Sequence, residues 1–69
     1  MSETVYRITE VVGTSDTSIE DAVETAIETA AGTLRHLDWF EVGQIRGRIV
    51  DGEVRNYQVA VRLGFRYEP

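Results

Sequence analysis

The sequence contains no cysteine and no lysine, and it has one histidine, one tryptophan and one proline among its 69 residues. Without cysteine, disulfides and thiolate metal sites are excluded, and without lysine, Schiff-base chemistry is excluded. A single histidine with scattered carboxylates is a poor starting point for a zinc site. Because a core of this size is marginal on its own, we expect oligomerisation to stabilise it.

The chain also lacks an apolar run long enough to cross a bilayer and a segment that resembles a signal peptide. We therefore expect one domain over residues 1–69 in a cytoplasmic protein that does not associate with membranes. The net charge of −5 argues against nucleic acid as the main partner. All seven cations are arginines, which bind anions in a planar, bidentate manner, although a compositional bias of the source organism also explains the missing lysines.

Strand-like residues come first and are followed by a segment of helical periodicity. Loose alternation rich in Val, Ile, Tyr and Thr predicts a first strand over residues 5–12. Ser18 followed by Asp21 resembles a capping box, with Ser15 and Ser18 as an alternative start, and Gly32 is a plausible helix end. The apolar stripe between them consists mostly of small side chains, which suit close packing on a sheet: Ile19, Ala22, Val23, Ala26, Ile27, Ala30, Ala31 and Leu34.

The dipeptide Asp51-Gly52 predicts a two-residue hairpin turn between strands over residues 40–50 and 54–67. Such a turn places Val50 opposite Glu53 and fixes the register of the whole hairpin. On one face this register pairs Phe40 with Leu63, Val42 with Val61, Gln44 with Val59 and Arg46 with Tyr57. On the other face it pairs Trp39 with Gly64, Glu41 with Arg62, Gly43 with Ala60 and Ile45 with Gln58.

These elements predict an α+β protein of β-α-β-β order, in which a three-stranded antiparallel sheet of order 1-3-2 packs on one helix. The helix covers only one face of the sheet, so Trp39 lies on the uncovered face, above the small residues Gly43 and Ala60. An exposed tryptophan on a sheet is costly unless something covers it. Both burial in a subunit interface and stacking of a flat ligand satisfy this requirement.

Several short segments, in order and at matching spacing, make the chain resemble the dodecin family, and in particular its bacterial members. They lie after the first strand, around the tryptophan and along the hairpin: Val12-Gly13-Thr14-Ser15, Leu37-Asp38-Trp39-Phe40-Glu41-Val42, Ile45-Arg46-Gly47, Asp51-Gly52, Tyr57-Gln58-Val59 and Gly64-Phe65-Arg66.

The resemblance implies a β-α-β-β protomer that assembles into a hollow homododecamer of cubic symmetry, with the sheets inside and the helices outside. It also implies that flavin pairs stack at two-fold axes between the Trp39 side chains of symmetry-related subunits. Gln58 corresponds to the flavin-contacting glutamine. Arg46 is a candidate for the ribityl chain or a phosphate, although the predicted register places it on the face opposite Trp39 unless a bulge or a neighbouring subunit brings it round. Ile45 is a candidate apolar wall.

The implied function is storage, buffering and photoprotection of flavin, with FMN or riboflavin favoured over degraded flavins such as lumichrome. Some bacterial members also bind coenzyme A, for which Arg66 is the matching residue. No catalytic residue is predicted, because the chain has no thiol, His36 and Asp38 lack a serine partner for a triad, and no acid–base group is expected beside Trp39 and Gln58. A flavin-dependent enzyme, a coenzyme A-binding cage and a ligand-free assembly subunit are the alternatives.

Overall fold

A computed structural model describes residues 3–67 of the chain. In chain order it contains β1 (Tyr6–Ser15), α1 (Ile19–Ala31), β2 (Leu37–Val50) and β3 (Glu53–Arg66). The strand order is β1-β3-β2, and β3 pairs antiparallel with both neighbours. The predicted fold class, element order and sheet topology are therefore confirmed. The first strand ends later than predicted, at Ser15, and the second begins earlier, at Leu37.

Helix α1 begins at the predicted cap. The hydroxyl oxygen of Ser18 accepts a hydrogen bond from the backbone N–H of Asp21 at 3.0 Å, which satisfies one of the free donors of the first turn. The Asp21 carboxylate does not complete the capping box, because it accepts from Ser15 Oγ at 2.7 Å instead. The helix therefore begins as predicted, and its first turn is also tied to the end of β1.

The core is formed by the alanine face of α1 and three apolar residues of β3. Its buried side chains are small or medium in size: Ala22, Ala26, Ala30, Val59, Val61 and Leu63. Helix and sheet approach closely at Gly13, where an added Cβ would lie 2.0 Å from the carbonyl oxygen of Ala22. The small residues predicted to allow close packing therefore do so.

The helix lies mainly over β1 and β3 and leaves much of the same face of β2 uncovered. Phe40 is 52% exposed and Ile45 is 53% exposed, although both point to the helix side of the sheet. Together with residues of α1 they line an apolar groove of about 460 Å³. We call this surface the β2 apolar band, formed by Ile19, Val23, Ile27, Phe40, Val42 and Ile45.

The predicted hairpin register is correct at both ends. The turn at Asp51 and Gly52 has positive φ angles of 53° and 78°, as a mirror-image turn requires, and Val50 pairs with Glu53. Near the start of β2, the observed pairs are those predicted from the sequence: Trp39 with Gly64, Phe40 with Leu63, Glu41 with Arg62 and Val42 with Val61.

In the middle of the hairpin the predicted register is wrong by one residue. The pairing shifts between Val42 and Ile45, so Ile45 pairs with Val59 and Arg46 with Gln58, and a second shift after Arg48 restores the register before the turn. A bulge inserts an extra residue on one strand and reverses which face the following side chains occupy. The predicted pairs of Gln44 with Val59, Ile45 with Gln58 and Arg46 with Tyr57 therefore do not form.

Candidate functional site

The indole of Trp39 packs directly on the backbone of β3 at Gly64. A Cβ added to Gly64 would lie 2.2 Å from Trp39 Cε2, so only a glycine leaves room for the ring there. The side chain is 38% exposed on the sheet face that α1 does not cover. The structure thus places Trp39 on the predicted face and opposite the predicted glycine.

The Tyr6 ring, on β1, packs against the indole of Trp39 across the sheet. The two ring centroids are 5.7 Å apart and the ring planes meet at 64°, an edge-to-face geometry that aromatic pairs favour. Tyr6 Oη also donates a hydrogen bond of 2.8 Å to Asp38 Oδ2. That hydrogen bond raises the pKa of Tyr6, because it favours the neutral phenol, and desolvation and the negative charge of Asp38 act in the same direction.

A bulge at the start of β2 brings Asp38 to this position. The register shifts between Leu37 and Trp39, so Asp38 is the extra residue and has no partner on β3. The expectation that no acid–base group lies beside Trp39 is therefore wrong, since a carboxylate and a phenol are both adjacent to the indole. They are hydrogen-bonded to each other.

Arg62, in the centre of the uncovered face, links all three strands through two carboxylates. Its Nε lies 3.0 Å from Glu41 Oε1 on β2, and its Nη1 lies 3.3 Å from Glu10 Oε2 on β1. The hydrogen bond to Glu41 and the charge of that carboxylate raise the pKa of Arg62 above its ordinary value. The sequence predicted the pair with Glu41, whereas Glu10 was missed because it is 52 residues away in the chain.

Arg46 lies on the same face as Trp39, which corrects the predicted register. It pairs with Gln58 across the hairpin and donates a hydrogen bond to Gln44. Gln58 Nε2 in turn lies 3.5 Å from Asn56 Oδ1. Arg46 faces an open groove of about 430 Å³ that runs along the middle of the sheet and is lined by Glu10, Val12, Gly43, Gln44, Arg46, Ala60 and Arg62.

Arg66 also lies at the Trp39 end of this face, where it pairs with Tyr6 across β1 and β3. Its Nη2 is 3.2 Å from His36 Nδ1. Because a guanidinium only donates, Nδ1 is the acceptor in this contact. His36 has a positive φ of 65°, which is uncommon for a residue other than glycine.

Of the predicted site residues, Ile45 alone lies on the helix side of the sheet, opposite the face that carries Trp39. It pairs with Val59 and lies in the β2 apolar band, not beside Gln58. An apolar wall for a ligand on the uncovered face therefore cannot come from Ile45 of the same chain.

Trp39 and Gln58 share a face, but they do not share one site within a protomer. Trp39 pairs with Gly64, and Gly64 lies six positions after Gln58 along β3. At the usual strand rise these two positions are roughly 20 Å apart. A three-ring aromatic ligand is too short to contact both, so any such ligand touching a tryptophan and this glutamine would take them from different copies of the chain.

Among residues 3–67, no three His, Asp or Glu side chains lie close enough together to hold a metal ion. Across the same residues, the helix is too short and too polar to span a membrane.

Comparison with known proteins gives one consistent family. The dodecin family model matches residues 5–68. The curated dodecin of Thermus thermophilus is 52% identical over 64 residues, which is 93% of each chain. The solved dodecin of Streptomyces coelicolor is 55% identical with a TM-score of 0.93, covering 100% of this chain and 99% of its own.

A more distant structure shares only the fold. It is the calcium dodecin of Mycobacterium tuberculosis, described as having a calcium-binding site, and it is 24% identical with a TM-score of 0.80 over 94% of this chain and 93% of its own. The family match, the curated relative and the matching fold agree with one another, and this chain belongs to the dodecin family.

Proposed function

We propose that this protein stores flavin, as FMN or riboflavin, by stacking pairs of isoalloxazine rings between Trp39 side chains of symmetry-related copies in a homododecamer. The observation that carries the proposal is the position of the only tryptophan. Its indole is seated on Gly64, partly exposed, on a sheet face that the protomer's helix leaves uncovered.

A planar heteroaromatic ring is the ligand that fits this surface best. Stacking on an indole buries apolar area and gains dispersion energy. Seating the indole on the sheet before binding also reduces the entropy lost when the ligand binds, because the indole has less freedom to lose. The pair of Tyr6 and Trp39 is therefore a preorganised platform for a flat ligand.

The remaining residues of the proposed site come from more than one copy. Because Gln58 lies far from Trp39 in the same chain, a flavin stacked on one Trp39 would offer its pyrimidine edge to Gln58 of a neighbouring copy. Arg46 pairs with Gln58 across the hairpin, and in this proposal its guanidinium would meet the ribityl chain or its phosphate. Ile45 would serve as an apolar wall only from a neighbouring copy. Arg66 is a further candidate for an anionic group of FMN or coenzyme A.

Storage fits this arrangement better than catalysis. A flavin clamped between an indole and a second flavin has both faces blocked, so a substrate has no access to the ring. Electron transfer from the indole also returns an excited flavin to its ground state, which protects it from light. The Asp38 carboxylate and the Tyr6 phenol, which bond to each other, are assigned a structural role here.

The test is a fluorescence titration of ligand-free protein with riboflavin and with FMN, in parallel with Trp39→Ala and Gln58→Ala variants. We expect deep quenching that saturates near equimolar flavin and chain, loss of quenching in Trp39→Ala, and weaker binding with quenching retained in Gln58→Ala. In this proposal Gln58 contributes to flavin affinity and Trp39 causes the quenching. The two variants should therefore differ in whether bound flavin is quenched. Flavin that stays bright at micromolar wild-type protein would contradict the proposal and favour a ligand-free assembly subunit.

A further inference from the structure

Tyr6 makes two contacts with consecutive residues of β2, although it lies on β1 at the other edge of the sheet. Its ring packs edge-to-face against Trp39, and its hydroxyl donates to Asp38. Neither contact belongs to the strand pairing, because β1 and β2 are separated by β3. One side chain therefore bridges the whole width of the sheet to reach the tryptophan.

The contact with Tyr6 restrains the indole from the side. Gly64 supports the ring from below, but a glycine offers no side chain to limit sliding along the sheet. The bulge at Asp38 turns that carboxylate toward Tyr6, so the phenol is itself held at its hydroxyl end. A ring that is fixed by its own hydrogen bond can hold a neighbouring ring in one orientation.

We infer that Tyr6 is a positioning residue that fixes the orientation of Trp39 on Gly64, with Asp38 holding the Tyr6 ring in place. The aromatic ring of Tyr6 makes the contact with the indole. The hydrogen bond from its hydroxyl group to Asp38 fixes the orientation of that ring. Applied to the proposed flavin site, this assigns Tyr6 an effect on flavin affinity without direct contact with the flavin.

The experiment compares wild type with Tyr6→Phe and Tyr6→Leu. Tyr6→Phe keeps the ring and removes the hydrogen bond, whereas Tyr6→Leu removes both. Tyr67→Leu is the matched control, because the Tyr67 ring packs with the Arg7 guanidinium at 5.4 Å. The first readout is the near-ultraviolet circular dichroism of the ligand-free proteins, in which the indole bands come from Trp39, the only tryptophan of the chain.

We expect the indole bands of Tyr6→Leu to weaken strongly, those of Tyr6→Phe to weaken less, and those of Tyr67→Leu to match wild type. The second readout is riboflavin affinity, which rests on the proposed function. Since an aromatic pair contributes about 0.5–1.5 kcal/mol beyond its buried area, Tyr6→Leu should weaken binding about two- to tenfold. Tyr6→Phe should recover most of that loss, because it keeps the aromatic contact with the indole.

Unchanged indole bands in Tyr6→Leu, with far-ultraviolet spectra and assembly size equal to wild type, would overturn the inference. If Tyr6→Leu does not fold, Tyr6→Phe and Asp38→Ala decide the matter, since both release the hydroxyl end of the phenol. Both should then weaken the indole bands, and bands equal to wild type in both would overturn it. Failure of wild-type protein to bind riboflavin would remove the proposed function alone, because the spectra of the ligand-free proteins test the position of Trp39 independently.

Discussion

The position of the Trp39 indole requires a glycine at residue 64. The indole occupies the space where a side chain at position 64 would begin, so the identity of Gly64 decides whether the platform exists. The sequence placed this glycine opposite the tryptophan because the two-residue turn fixes the register. The contact between Tyr6 and Trp39 could not be predicted in the same way, because the two residues are far apart in the sequence and no turn fixes their relative positions.

Gly64→Ala tests the seat of the indole. The added Cβ would lie 2.2 Å from the ring, so Trp39 must move. Because overpacking of this kind costs about 1–3 kcal/mol, we expect riboflavin affinity to fall by at least about fivefold. Isothermal titration measures the effect, with Gly32→Ala at the end of α1 as the control. Equal affinity in Gly64→Ala and wild type would show that the ring position seen here is not the one that binds.

Tyr6 also predicts a pH dependence. Its hydrogen bond to Asp38 favours the neutral phenol and raises its pKa above the ordinary value near 10. The raised pKa means that the contribution of this contact to stability is fully present below about pH 10 and is lost as the pH rises through the higher folded-state value. In a spectrophotometric alkaline titration, Tyr6→Phe should therefore remove a phase above about pH 10. A phase lost at lower pH would contradict the contact.

Helix α1 and strand β1 pack closely against each other at Gly13. The sequence predicted an alanine-rich helix face, and the structure shows its consequence at Gly13, where the backbones of helix and strand nearly touch. This closeness follows from the local pattern of small residues, and that is why it was predictable.

Gly13→Ala should destabilise the fold. An added Cβ would lie 2.0 Å from the Ala22 carbonyl oxygen and 2.9 Å from the Cβ of Ala26, so α1 would have to shift. We expect a loss of about 1–3 kcal/mol in the free energy of unfolding, measured by urea denaturation at one fixed protein concentration. Gly43→Ala is the control, because its Cβ would make ordinary contacts beginning at 3.5 Å. Equal losses in the two variants would refute the close-packing explanation.

The register in the middle of the hairpin could not be predicted from the sequence. Turn chemistry fixed both ends of the register, but strict alternation does not reveal a bulge, and the shift between Val42 and Ile45 reversed the faces of the residues that follow. Arg46 moved to the face of Trp39 and Ile45 moved away from it. The position of a bulge depends on how the three strands twist together. The local residue pattern of β2 therefore does not predict it.

Among residues 3–67, the protomer leaves apolar surface uncovered on both sides of the sheet. One side carries Trp39, and the helix side carries the β2 apolar band. A chain of this size gains much of its stability from covering such surfaces. In the proposed homododecamer, contacts between copies would cover the band, and contacts with flavin and neighbouring copies would cover Trp39.

Val42→Glu in the β2 apolar band should therefore disrupt assembly. A carboxylate buried in an apolar interface without a partner is strongly unfavourable, so we expect sedimentation velocity to show smaller species than wild type. Val54→Glu is the matched control, because Val54 is an exposed valine near the hairpin turn and lies outside the band. A Val42→Glu variant that sediments as wild type would contradict the assignment of the band to an interface.

The excited-state lifetime of bound riboflavin tests whether flavin stacks on Trp39. An indole in contact donates an electron to excited flavin rapidly, whereas phenylalanine keeps the ring stacking but is a poor electron donor. We predict a greatly shortened lifetime in wild type and a clearly longer one in Trp39→Phe, with riboflavin bound in both. Equal lifetimes in the two proteins, or a bound lifetime in wild type equal to that of free riboflavin, would place the flavin away from Trp39.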